Sequence, residues 1–335
     1  MIASTPALAA SPARTQESGI LSGIRLGIDI GGTKTALALG DEAGAILGRA
    51  RQPTKPSSDP AADLGRIAKA ARELARECDI ALTDLECVGV SLPGPLDGER
   101  QCVLSPANLS GWGEVPVVSL LAAEFELPIR LENDANAAAL AEARYGAGQG
   151  MKNVVYLTMS TGIGGGLVLD GALYTGAHHA AGEIGHAPVA WPGEPCVCGL
   201  RGCLEAYAGG AAWQRRLRAT APQAGEVARL AGGRDAITPE HAVRAAHAGD
   251  AYAVGELDRL TDYLARAIVP LQFTLAPDAI LLGTIAVAAG EELFLAPLRE
   301  KVRARSWAPP AFTSAIRLAS LGEELPYRAG LCAAG

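Results

Sequence analysis

Leu26, Ile28 and Ile30 alternate with glycine and aspartate, Gly31-Gly32 interrupt the run, and Ala36-Leu37-Ala38-Leu39 resumes it. Period-two alternation broken by paired glycines predicts a β-hairpin over 26–39, with Asp29, Gly31, Gly32, Thr33, Lys34 and Thr35 at its tip. Between residues 63 and 78 the apolar period lengthens to three or four. Leu64, Ile67, Ala71, Leu74 and Ala75 then share one side of an amphipathic helix. Residues 87–92 form a short apolar run stopped by Pro93-Gly94-Pro95, which predicts a buried strand ending in a rigid turn. A polar loop around 108–112, a helix over 117–125 and a short strand over 128–131 follow. That strand delivers Glu132-Asn133-Asp134 to its C-terminal end, directly before the helical run 135–145, and ligands of α/β sheets sit beyond strand ends.

A second cycle then begins. The apolar run 154–159 is followed by Ser160-Thr161-Gly162-Ile163-Gly164-Gly165-Gly166 and by Leu167-Val168-Leu169, so strand, hydroxylated glycine turn and strand recur. The recurrence predicts a duplicated α/β fold with a cleft between its halves. Further on, Thr238-Pro239 reads as a helix start that Gly249 closes. Val254, Leu257, Leu260, Leu264, Ile268 and Leu271 predict a long core-facing helix ended by Pro277. A buried strand over 279–282 and a helix over 293–305 complete the pattern. A helix beginning near Cys203 is expected to continue through 213–219, while 225–235 shows no assignable period.

Composition narrows the setting. A chain of 335 residues with 49% hydrophobic but only 4% aromatic residues supports two domains with aliphatic cores. The formal charge of −7 and the absence of a Lys/Arg run argue against nucleic acid or an anionic membrane as partner, and no apolar stretch reaches membrane-span length. Residues 1–23, rich in Ala, Ser, Pro and Thr, read as a disordered extension. Ala7-Leu8-Ala9-Ala10 imitates a cleavage site without the basic segment or apolar core of a leader, so export is rejected. Seven cysteines, three of them clustered, point to a metal in a reducing compartment, hence the cytoplasm.

The chemistry-bearing positions are few. The side-chain-poor tip at Gly31-Gly32 lets backbone N–H groups approach an anion, Thr33 and Lys34 add donors, and Asp29 can hold a hydrated Mg²⁺; the plain reading is a turn only. His186 with Cys196-x-Cys198-Gly-x-x-Gly-Cys203 supplies the four donors of a tetrahedral zinc site. With every ligand position filled by protein, that zinc is structural. Glu183 and Glu205 flank the knuckle as bidentate acceptors suited to a polyol. Asp134 is a candidate general base for a substrate hydroxyl attacking a γ-phosphate, and equally a candidate cap for the helix after it. His178-His179 are read as loop residues.

These pieces fall in one order: Asp29-Ile-Gly-Gly-Thr-Lys34, Leu92-Pro-Gly-Pro-Leu96, Asn108-x-x-Gly-Trp112, Glu132-Asn-Asp-Ala-Asn136, Ser160–Gly166, Gly182-Glu-Ile-Gly-His186 and the cysteine knuckle running to Glu205. The chain resembles the ROK family of sugar kinases and repressors, within the hexokinase–actin-like superfamily, from about residue 26 to its end. The resemblance implies two ribonuclease-H-like domains: a small one over 24–134 joined by a C-terminal helix over 323–335, and a large one over 135–322 carrying the zinc loop. It implies Asp134 as general base, and Asn108, Asn133, Asp134, Glu183, His186 and Glu205 as sugar ligands, with His186 also on the zinc. Asp29, Gly31, Gly32, Thr33, Lys34, Thr161, Gly162 and Gly283 would hold the nucleotide and its Mg²⁺. A homodimer is expected by the same token. Departures are Gly283-Thr284-Ile285, where the family often has paired glycines, Phe273 and Ala276 in place of its usual asparagines, and Ser160 for a glycine.

Three functions follow in order. The first is an ATP-dependent kinase acting on the 6-hydroxyl of glucose, with N-acetylglucosamine, N-acetylmannosamine and fructose kinases as alternatives of the same family. A sugar-responsive repressor is the second, disfavoured because residues 1–23 are too short and too Pro/Ala-rich for a DNA-binding domain. A sugar-binding protein without catalysis, the third, would predict loss of the base, and Asp134 is present.

Overall fold

A computed structural model describes residues 23–99, 101–106, 108–307 and 315–335. The expected extension over 1–23 therefore lies, but for Gly23, outside the described residues. In chain order the elements of the first half are β1 (Ile24–Ile30), β2 (Lys34–Gly40), β3 (Ile46–Pro53), α1 (Pro60–Glu77), β4 (Leu85–Leu92), β5 (Leu96–Asp97), β6 (Cys102–Leu104), β7 (Glu114–Val115), α2 (Val117–Phe125) and β8 (Ile129–Asn133). Then come α3 (Asp134–Tyr145), β9 (Val154–Met159), β10 (Ile163–Leu169), β11 (Ala172–Leu173), α4 (Leu204–Ala208), α5 (Gly210–Thr220), α6 (Glu226–Ala231), α7 (Pro239–His247) and α8 (Ala251–Leu275). The last are β12 (Ala279–Leu282), α9 (Ile285–Gly290), α10 (Ala296–Arg305), β13 (Ile316–Leu318) and a C-terminal helix, Leu325–Ala333.

The expected duplication is present in the sheets. The first runs β3-β2-β1-β4-β8 and the second β11-β10-β9-β12-β13. In each, three antiparallel strands are extended by two parallel ones, β4 and β8 on β1, β12 and β13 on β9. Each sheet has its own aliphatic core. Leu64, Ile67 and Leu74 of α1 and Leu121 and Phe125 of α2 cover the first, and Leu257, Leu260, Leu264 and Ile268 of α8 the second. Burying such side chains contributes roughly 1.5–3 kcal/mol each.

Between the two cores stand α3 and the C-terminal helix. Leu140 of α3, Tyr156 of β9, Leu281 of β12 and Cys332 of the C-terminal helix form one small cluster there. The C-terminal helix lies directly on β1, β2 and β4. Its approach is at backbone distance: a Cβ on Gly27 would lie 2.3 Å from the Leu331 nitrogen, and one on Gly89 would lie 2.2 Å from that of Ala334. Glu142, fully buried, fastens the other side of α3 by accepting N–H bonds from Ser320 (3.0 Å), Leu321 (2.9 Å) and Ala147 (2.9 Å).

Three local expectations change. The helix expected from Cys203 through Ala219 is two, α4 and α5, because Gly209 is extended at the joint and Gly210 packs against the Ser160 carbonyl. Residues 226–231, unassigned from the sequence, form α6. The helix expected from Leu293 begins at Ala296, after a π-turn over Glu291–Leu295.

A glycine held against backbone has no flexible neighbour to yield. Gly89→Val should therefore lower unfolding free energy by about 3 kcal/mol or more in urea titration. Gly255→Ala, inside α8 with open space around it, should instead leave stability unchanged or raise it by about 1 kcal/mol.

Candidate active site

The first glycine tip is a tight turn: the Gly31 N–H donates to the Lys34 carbonyl (3.0 Å) and the Thr54 N–H to that of Thr33 (2.9 Å). Thr33 and Lys34 are exposed, so their donors are available to a ligand. Gly32 has the Asn108 carbonyl 2.8 Å from where a Cβ would stand, so the tip and the Asn108 loop touch. That loop is anchored from below. Buried Asp63 accepts from Trp112 Nε1 (2.9 Å) and from the N–H (2.7 Å) and hydroxyl (2.7 Å) of Ser57, and these bonds hold its carboxyl below the ordinary carboxylate range despite burial. At the foot of the tip, Asp29 accepts from the Ser91 hydroxyl (2.7 Å). Burial, opposed by that bond and reinforced by Asp134, pushes its pKa up to about 7. A hydrated divalent cation there would restore its charge at neutral pH.

The second tip is seated on α5. The Gly210 and Ala211 N–H groups, first in that helix and otherwise without intrahelical partners, donate to the carbonyls of Ser160 (2.9 Å) and Thr161 (2.8 Å). Glu205, one residue into α4, accepts from the Ile163 N–H (2.8 Å) and lies against Gly162, where a Cβ would be 2.2 Å from its carboxylate.

The two readings of Asp134 separate here. Asn133, the last residue of β8, is the helix cap: its side-chain oxygen accepts from Ala135 (2.9 Å) and Asn136 (3.4 Å). Asp134 spends one oxygen on the Ala135 N–H (2.8 Å) and opens into the cleft. The surrounding protein raises its pKa by desolvation, with Glu183 adding to the rise and the Ala135 bond opposing it.

One cavity of about 230 Å³ collects Asn108, Asn133, Asp134, Gly162, Glu183, His186 and Glu205. These seven residues come from six elements or loops, and all six expected sugar ligands meet there. Thr161 turns instead to a neighbouring cavity of about 550 Å³ between α5, α7 and α9. Gly283 lies one residue short of that wall, packed on Tyr156; Thr284 and Ile285 line it. Thr284 holds a left-handed φ of 50°, and its hydroxyl bonds to both the N–H (2.9 Å) and the carbonyl of Met159, tying α9 to the second tip. Gln214, Val243, Arg244 and Ala288 also line this larger cavity. The sequence does not single them out, because each is an isolated position on a helix whose apolar period speaks only for the core.

His186 faces two ways. Its Nδ1 is 3.6 Å from the Cys196 sulfur, and its Nε2 is 3.9 Å from the Glu183 carboxylate. The donor atoms of His186, Cys196, Cys198 and Cys203 all lie within 4.8 Å of one another, the spacing of a tetrahedral N/S site. The thiols crowd each other, and burial pushes Cys203 up to about 12 while the backbone around Leu200 holds the exposed Cys198 low. The set fits zinc and leaves no ligand position open.

Duplicated sheets with two glycine tips that enclose a cavity of carboxylates, amides and an imidazole beside a Cys₃His knuckle make this a two-lobed ATP-dependent sugar kinase. The ROK family model matches residues 25–329, and the chain belongs to that family. It is 37% identical over 279 residues to a glucokinase of Thermotoga maritima, a match covering 83% of this chain and 86% of that one. Among solved structures, the ROK hexokinase of Thermus thermophilus superposes with a TM-score of 0.77 at 33% identity, covering 92% of this chain and 97% of the other. A ROK glucokinase of Streptomyces griseus, solved with glucose and AMPPNP, gives 0.75 at 34% identity, covering 92% and 98%.

If the zinc is structural, Cys203→Ser should lose the metal by elemental analysis and lower the melting temperature together. A zinc-free variant melting like the parent would overturn this.

Proposed function

We propose that the protein transfers the γ-phosphoryl group of ATP to the 6-hydroxyl of glucose, with Asp134 as general base. What carries the reading is the division of labour at the β8–α3 joint. Asn133 already caps the helix, so Asp134 is left facing a cavity whose other polar groups suit a pyranose, and its raised pKa suits proton acceptance. The glucokinase relatives support glucose as the acceptor.

In this reading Glu183, His186, Glu205, Asn108 and Asn133 orient the ring. Asp134 takes the 6-hydroxyl proton as that oxygen attacks the γ-phosphorus; the bond from that phosphorus to the bridging oxygen breaks and ADP leaves. The N–H groups of the tips at Gly31-Gly32-Thr33-Lys34 and Thr161-Gly162 hold the phosphates, with Gly283 supporting the nucleotide side. Asp29 would hold Mg²⁺ through water, and the bound ion would offset phosphate charge. The larger cavity between α5, α7 and α9 takes the base and ribose. We divide the chain into a small lobe, 24–134 with the helix of 323–335, and a large lobe, 135–322. We place the protein in the cytoplasm as a homodimer without nucleic-acid or membrane partners; among the described residues no helix is long and apolar enough to cross a membrane.

An ADP-release assay over glucose, mannose, fructose, N-acetylglucosamine and N-acetylmannosamine, with ATP or polyphosphate as donor, tests the assignment; preference for an N-acetylhexosamine or fructose would replace glucose.

Asp134→Asn should lower kcat by at least about 10²-fold, the scale of positioned general-base catalysis, with glucose binding kept within a few-fold. In the parent, kcat/KM should rise with pH through a value above the ordinary aspartate pKa, because only the ionised carboxylate accepts the proton. In Asp134→Asn that limb should change in shape, with the remaining acid dependence set by Asp29, whose pKa is pushed up to about 7.

A further inference from the structure

Asn108 reaches the cavity at Asp134 from the loop between β6 and β7, with no strand or helix of its own to place it. The loop is closed at its foot by the Ser105 N–H on the Gly113 carbonyl (2.9 Å). Inside it, the Leu109 N–H donates to the Pro106 carbonyl (3.0 Å) and the Trp112 N–H to that of Leu109 (3.1 Å). All three bonds lie within the loop, so they do not set its angle to the cleft. Leu109 and Trp112 are buried in the core of the first sheet, while Asn108 is exposed. Apolar burial keeps the loop seated but has no direction, so it leaves the tilt of Asn108 open.

The directed contact comes from outside the cavity. Asp63 stands in the first turn of α1, is 5% exposed and does not line the space around Asp134. One of its oxygens accepts from Trp112 Nε1 (2.9 Å) and from the Ser57 N–H (2.7 Å). The other accepts from the Ser57 hydroxyl (2.7 Å) and from Arg66. Loop, segment 54–59 and α1 thus send their donors to one buried carboxylate. Ser57 also meets the loop directly: its carbonyl lies 2.7 Å from where a Cβ on Gly111 would stand, and Gly111 holds a left-handed φ of 91°. Asp63 and Ser57 therefore grip the loop at two adjacent residues just beyond Asn108.

The phosphate side is held by other bonds. The Thr54 N–H donates to the Thr33 carbonyl (2.9 Å), and the Thr54 and Thr35 hydroxyls pair at 2.8 Å. Neither bond involves Asp63, so the first glycine tip does not depend on it. What the loop needs at position 63 is an acceptor rather than a charge. An amide oxygen there can take both N–H bonds while its NH₂ donates to the Ser57 hydroxyl. Alanine instead leaves the Trp112 and Ser57 N–H groups without an acceptor in a buried place.

We propose that Asp63 is a positioning residue for the sugar. It touches neither substrate, and through Trp112 and Ser57 it fixes the angle at which Asn108 meets the acceptor. Sugar affinity is then set in part from α1, on the far side of the loop from the cavity, while nucleotide affinity is not. A binding group held by directed bonds gains most from small corrections of angle, which is why a residue outside the cavity can govern it. The proposal rests on the reading of Asn108 as a sugar ligand.

The test is calorimetric binding of glucose, and separately of a non-hydrolysable ATP analogue with Mg²⁺, to the full chain and its variants. Asp63→Ala should raise the glucose Kd about fivefold or more and change that of the analogue less than twofold. Asp63→Asn should restore the glucose Kd to within about twofold of the parent. Trp112→Phe, which keeps a buried ring and removes the Nε1 donor, should raise the glucose Kd about threefold or more. Combined with Asp63→Ala it should add less than twofold, since both act through one bond. Equal weakening of both ligands, multiplied effects in the double variant, or failure of Asp63→Asn to restore binding overturns the positioning role. If Asp63→Ala does not fold, Trp112→Phe decides: a glucose Kd within twofold of the parent overturns the proposal. An unchanged glucose Kd in Asn108→Ala overturns the underlying reading instead.

Discussion

Backbone brought against backbone is the constraint from which this structure follows. At Gly27, Gly89 and Gly330 the first sheet and the C-terminal helix approach with no side chain between them. At Gly164 and Gly166 the second sheet reaches α3 across nothing larger than the methyl groups of Ala135 and Ala139. Such seams have almost no freedom to repack, since their neighbours are main chain or alanine methyls. They clamp α3 and the C-terminal helix between the two sheets. The buried Glu142 completes the clamp, its carboxylate satisfied by main-chain donors on both sides of the seam.

That clamp is what makes the site. Asn133 and Asp134 stand at the first turn of the clamped helix, so their positions inherit its rigidity. Opposite them, the Ser160–Gly162 tip is held by the N-terminus of α5, and Glu205 bridges tip and knuckle through Ile163. The Asn108 loop is fixed by side chains, through Trp112 and Asp63. A positioned group is worth most when its support cannot relax. Here most of the support is main chain, and His186 extends it to the knuckle by giving one ring nitrogen to the cysteines and the other to the cleft side.

Local pattern made much of this readable. The hairpin, the boundaries of β9 and α2, the knuckle and the joint after β8 all announce themselves through glycine, periodicity or spacing, and the repeat of one hairpin by another disclosed the duplication. The break at Gly209 was not readable, because its cause is a carbonyl from Ser160, fifty residues earlier. The same limit hid the larger cavity. Gln214, Val243, Arg244 and Ile285 are ordinary helix residues until packing brings three helices around one space. Cap and base at 133–134 could not be distinguished either, since both residue types cap helices and only the bond pattern shows which one does.

Charge imposes the remaining condition. Asp29, Asp134, Glu183 and Glu205 converge in a protein already at a formal −7, yet the donor substrate is itself anionic. The cleft answers with few mobile cations; Lys34 is the only lysine at either glycine tip. The donors proposed for the phosphates are main-chain N–H groups at the tips, which need no reorientation because folding has already placed them. Burial meanwhile pushes the pKa of Asp29 up to about 7, with Asp134 adding to the rise, and burial raises that of Asp134, with Glu183 adding to it. A divalent cation at Asp29 would relieve both conflicts at once, restoring the charge on Asp29 and offsetting that of the phosphates. Nucleotide and cation should therefore enter the cleft as one complex, and the neutral sugar is the partner whose binding asks least of the cation.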